Sequence, residues 1–131
     1  MAALTSDQAF ALASRFHDAA VAVGNYLYSA KGNALSASDW NELEDAQWSI
    51  LNASSDIRTT AVGLVLDEAG PSLAKLQAYT NRARIAIKKV DTAKKAIEIA
   101  TSLVVLGAAV ISKDPGAIAS AAKGVYDAME S

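Results

Sequence analysis

From Ala9 onward the apolar positions Leu12, Phe16, Ala19, Val23, Tyr26 and Ala30 advance by alternating steps of three and four residues. That spacing lays them along one stripe of an α-helix, and Thr5 followed by Gln8 forms a candidate capping box at its start. A helix is expected over 5–31, with Gly32 as the left-handed residue just beyond its end. After a polar link through Asn33 and Ser36, Ser38 is expected to cap a second helix over 38–69. Its row Leu43, Ile50, Ile57, Leu64 repeats every seven residues until Gly70-Pro71 stops it.

Beyond Pro71 the row Leu76, Ala83, Val90, Ile97, Val104, Ile111 keeps strict heptad spacing with no proline inside it. It predicts one helix over 72–112, about forty residues and roughly 60 Å long at 1.5 Å per residue. A break at Asp91-Thr92, where Thr92 resembles an N-cap, is the alternative. The companion row Tyr79, Ala86, Ala93, Ala100, Gly107 consists mostly of small residues and predicts close approach by a neighbouring helix. Lys113-Asp114-Pro115-Gly116 then reads as a tight turn, with Asp114 as N-cap and Pro115 opening a last helix, 115–130. The expected fold is all-α: one domain over 1–131, an elongated up-down-up-down bundle of about four helices with coiled-coil-like seams.

Composition supports a folded domain of this kind. Of 131 residues, 52% are hydrophobic and 20% charged, with only two prolines, so the chain has apolar surface to bury and few forced helix ends. Zero cysteines exclude a disulfide framework, a thiolate metal site and a cysteine nucleophile. The net charge of −2 removes the positive field that nucleic-acid binders use, so no nucleic acid is expected as partner. The first residues carry no basic segment ahead of an apolar one, and a cytoplasmic protein without a spanning helix is the expectation, signal-independent secretion remaining compatible.

Charge is unevenly shared. Asp39, Glu42, Glu44, Asp45, Asp56, Asp67 and Glu68 fall in the second helix, and Lys75, Arg82, Arg84, Lys88, Lys89, Lys94 and Lys95 in the third. A hairpin at Gly70-Pro71 would bring Asp56 level with Arg84, and Glu44 and Asp45 level with Lys94 and Lys95, favouring antiparallel register. The competing reading is a basic face, with Lys75, Arg82 and Lys89 spaced by sevens, for an acidic partner or anionic headgroups.

Candidate chemistry is sparse. The single histidine, His17, has no serine, cysteine or paired carboxylate placed nearby in sequence to complete a mechanism. Glu42, Glu44 and Asp45 lack the spacing of a metal cage and fit a helix N-terminus better. No phosphate loop, dinucleotide fingerprint or nucleophile elbow occurs, so neither catalysis nor a cofactor or metal is expected. Trp40 and Trp48, eight residues apart, are expected on one side of the second helix, as core at the bundle's open end or as an interface anchor. Gln47 and Ser54 interrupt the apolar seam and are candidates for fixing register.

From Ile99 to Ser112 fourteen residues carry no charge, and Leu103, Val104, Val105, Leu106, Val110 and Ile111 make that stretch apolar on all sides. Such a helix must be covered by its own bundle, by another copy or by lipid. Those six residues, with Ile118, Trp40 and Trp48, are the candidate contact surface. The expected function is a non-catalytic helical protein working through protein–protein contacts, as adaptor, assembly factor, inhibitor or immunity-type partner, and self-associating as a homo-oligomer. The alternative is membrane activity by insertion of the hairpin Ile99 to Val125, which is similar in composition, though in no motif, to apolar hairpins of helical pore-forming toxins.

Overall fold

The computed structural model describes residues 3–66 and 70–130, which form helices and no strand. The helices are α1 (Ser6–Leu27), α2 (Ala30–Asn33), α3 (Ala37–Thr60), α4 (Leu73–Lys89), α5 (Ala93–Ser112) and α6 (Pro115–Glu130). The all-α class is as expected, but among the described residues there are six helices rather than four.

Each boundary has a local cause. Thr5 and Gln8 form the reciprocal capping box at α1, with Thr5 N donating to Gln8 Oε1 at 2.9 Å and Gln8 N to Thr5 Oγ1 at 3.1 Å. α1 stops at Leu27, short of the expected residue 31. Gly32 is not a left-handed cap but lies buried in the single turn of α2, where a Cβ would run into the Leu27 carbonyl. Ser36, not Ser38, caps α3, its Oγ accepting from Asp39 N at 3.1 Å.

At the far end of α3 the hydroxyls of Thr59 and Thr60 both turn back to the Asp56 carbonyl, and the helix finishes at Thr60. The chain then turns at Gly63, the one glycine with positive φ (85°) among the described residues. Leu4 N donates to Leu64 O and Gly63 N to Leu4 O, both at 2.8 Å, so this connection is tied beneath the start of α1. The last expected residues of that helix, 67–69, with Asp67 and Glu68, lie outside the described residues.

The principal correction concerns the forty-residue rod. α4 ends at Lys89, Val90 is extended (ψ 145°), and Thr92 caps a new helix by accepting from Lys95 N at 3.3 Å. Unbroken, the rod would have outrun its neighbours, which are 22 and 24 residues long, and left its most apolar third in water. Reversal at Val90-Asp91-Thr92 brings that third back as α5, buried against α3 and α6. The seam shifts accordingly. Ile99, Leu103, Leu106 and Val110 are fully buried, whereas Ile97, Val104 and Ile111 of the heptad row are only partly so.

Directions alternate along the chain, α1 up, α3 down, α4 up, α5 down and α6 up, as three contacts show. Ser54 Oγ donates to Ala13 O at 2.9 Å between antiparallel α3 and α1. Lys31 Nζ reaches Val90 O where the tops of α1 and α4 meet, and Lys113 Nζ reaches Val62 O at the bottoms of α5 and α3. α1 is the central element: it packs on both α3 and α4, which do not pack on one another, so the expected hairpin at Gly70-Pro71 is not a packed one. Asp56 therefore does not meet Arg84, whose guanidinium is held by Asn81 Oδ1 at 2.9 and 3.1 Å. The acidic start of α3 and the basic start of α5 do share the upper end, but on parallel helices.

The core runs along both sides of α1 through Leu12, Phe16, Val23, Ile50, Ile57, Leu76, Ile87 and Leu103. Close approach occurs at Gly107, as the small-residue row predicts: a Cβ there would sit 2.9 Å from Ala53 Cβ and 3.5 Å from Phe16 Cε1.

Candidate functional site

α5 and α6 form an antiparallel hairpin whose tip is set by three residues. Lys113 takes the left-handed conformation (φ 59°) that ends α5, Pro115 supplies the first position of α6, and Asp114 Oδ1 accepts from Gly116 N at 3.0 Å. α6 turns Ile118, Ala121, Ala122 and Val125 inward. Its flank toward α5 is left with Ala117, Gly124 and Ala128, too small to fill the space between two helices.

The result is a shallow apolar groove along α5 and α6. It has two adjoining depressions of about 530 and 550 Å³, which share Ser102, Val105 and Gly124. Ala108 and Ala117 extend it toward the tip, while Glu98 and Asp127 rim its upper end. Val105 stands in the middle with 54% of its surface exposed.

This placement divides the apolar residues singled out from sequence. Leu103, Leu106, Val110 and Ile118 are fully buried in the chain's own core, and Val104 and Ile111 are half-buried against it. An outward role for the first four is thereby corrected: coverage by α3 and α6 uses up the apolar surface that the sequence leaves unassigned. Val105 alone of the set faces outward.

The two tryptophans do not converge. Trp40 is half-buried and packs edge-on against Tyr28 at the upper end, ring centroids 6.0 Å apart, whereas Trp48 is 56% exposed two turns further along α3. The basic positions are dispersed as well. Lys75 borders a depression of about 350 Å³ between α4 and α6, beside Tyr79, Lys123 and Tyr126. Arg82 pairs with Glu130 at 3.7 Å and lies over the Tyr126 ring at 6.0 Å, while Lys89 is exposed at the end of α4.

Lys31 was not legible as a key residue. Its Nζ donates to Val90 O at 2.7 Å, lies 3.3 Å from Asp91 Oδ1, and is 6.0 Å from the centre of the Tyr26 ring. Burial pushes the Tyr26 hydroxyl above its ordinary pKa, and the Asp91 carboxylate adds to the effect. No short-range pattern announces this cluster, because Lys31 and Val90 are 59 residues apart.

His17 lies 3.7 Å from Asp18, and both are more than half exposed. Among the described residues no three histidine, aspartate or glutamate side chains gather into a metal-holding group, Glu42, Glu44 and Asp45 included. Buried polar side chains are satisfied locally: Ser54 bonds Ala13 O, and Thr80 Oγ1 bonds Leu76 O at 2.8 Å. The chain matches no family model, and neither a curated protein nor a solved structure matches it.

Proposed function

We propose that this chain is a non-catalytic helical binding module that works through protein–protein contact at the α5–α6 groove. The observation that carries the reading is the groove itself. It is lined by alanines and glycine, rimmed by polar side chains, and centred on an exposed valine in a chain that buries its other large apolar α5 residues wholly or partly. An apolar strip between two helices, with small residues along its floor, accepts the ridge of a third helix. Adaptor, assembly and inhibitor roles all use such a surface.

A photo-crosslinking side chain at Ser102, with one at exposed Asn52 on α3 as control, tests this in native extract. A protein adduct from Ser102 that is absent from Asn52 and lost in Val105→Glu supports the reading. No adduct, or equal adducts from both sites, overturns it.

A second reading rests on α5. It is 20 residues long and contains an 18-residue stretch of mean hydropathy 1.7, 44% of it buried, so it is long and apolar enough to cross a bilayer. Core helices meet the same criterion, and insertion would require α5 to give up its packing on α3. Flotation with phospholipid vesicles separates the readings: co-flotation, weakened by Val105→Glu, favours the membrane.

A further inference from the structure

The charges on the outer side of α6 complement themselves. On the outward side of α6, Lys123 and Asp127 are one turn apart and exposed, and among the described residues neither joins an ion pair. Next to Lys123 lies Gly124, whose added Cβ would meet nothing within 4 Å, and across the groove from Gly124 stands Val105.

We infer that the groove is occupied by a second copy of this chain, related by a two-fold axis that crosses the helices near Val105 and Gly124. In that arrangement α5 lies antiparallel on the other copy's α5, and α6 on its α6. The inference rests on the reading of the groove as a protein-binding surface and names its occupant.

Two features favour this occupant and this direction. Lys123 and Asp127 stand equally far on either side of Val125, so reversal about that level puts Lys123 of each copy opposite Asp127 of the other, twice per dimer. A parallel pairing would instead oppose Lys123 to Lys123 and Asp127 to Asp127. Finally, Ser120, Gly124 and Ala128 let the two α6 backbones come close, which covers each Val105 with its counterpart.

Sedimentation equilibrium of the full chain tests the pairing. The expected result is a dimer whose Kd weakens about tenfold in Lys123→Asp and in Asp127→Lys, since each places like charges across the axis twice. An equimolar mixture of the two variants regains the original affinity, because every cross-axis contact is again of opposite sign. A chain monomeric at all concentrations, or a dimer indifferent to both substitutions, overturns the inference. A monomer that still gives a protein adduct from Ser102 overturns the second copy and leaves the protein-binding reading standing. A monomer that gives no protein adduct but floats with vesicles overturns both.

Discussion

The ammonium of Lys31, on the short helix after α1, donates at 2.7 Å to the carbonyl oxygen of Val90, the C-cap residue just beyond α4. A cation there satisfies a carbonyl left without a helical partner and opposes the partial negative charge of the helix end. It also pins the place where the chain reverses from α4 into α5.

Loss of this contact in Lys31→Met should lower stability by roughly 1 kcal/mol, the ordinary value for a charge-assisted hydrogen bond discounted for its partial exposure. Asp91→Asn should cost less, because the Asp91 side chain is 89% exposed and the pair is screened. Urea unfolding of the two variants checks the order; an equal or reversed order would show that the carboxylate, not the carbonyl, holds Lys31.

Gly107 and Gly124 should respond to alanine with opposite signs. At Gly107 the new methyl meets Ala53 Cβ at 2.9 Å on a neighbouring helix, and overpacking there should cost about 1–3 kcal/mol. At Gly124 nothing lies within 4 Å, so alanine should stabilise the monomer by roughly 0.5–1 kcal/mol through helix propensity. Thermal unfolding at low protein concentration measures both.

Leu103 and Val105 are two residues apart in one helix, yet their truncations should differ severalfold. Leu103→Ala leaves a cavity among α3 and α5 core residues and should cost about 2–5 kcal/mol, whereas Val105→Ala should remain within about 0.5 kcal/mol. Denaturant midpoints at matched slopes decide it; similar losses would mean that Val105 is covered in the isolated chain.

Tyr26 gives a pH signature. Its pKa in the folded chain is raised above the ordinary tyrosine value of 10.0, so the unfolded chain releases this proton first as pH rises. The stability from keeping Tyr26 neutral is fully present below pH 10 and is lost as pH climbs toward the raised folded value. Melting temperatures measured from pH 8 upward should fall more steeply above pH 10 in the natural chain than in Tyr26→Phe.

Much of the architecture is legible without coordinates. The capping box at Thr5 and Gln8, the turn at Lys113 to Gly116, the small contact at Gly107 and the all-α class follow from local rules that act within one or two helical turns. The heptad row from Leu76 to Ile111 misleads because spacing records which residues share a face, not whether the backbone stays helical between them. At Val90-Asp91-Thr92 a three-residue break leaves the spacing intact and reverses the chain. The groove shows the same limit. Leu103, Val105 and Leu106 are alike in sequence, and only the placement of α3 and α6 covers two of them and leaves the third outside.

Helix formation, the capping box at Thr5 and Gln8 and the amount of apolar surface to be buried are therefore properties of the sequence by itself, since each depends on neighbours within a turn or on composition. Tertiary structure alone decided that α1 separates α3 from α4, that Lys31 meets Val90 across 59 residues, and which side of α5 remains open. The physical reason is that hydrophobic burial has no direction of its own. It requires that Leu103 and Leu106 be covered, and the lengths and packing of the other helices determine by what.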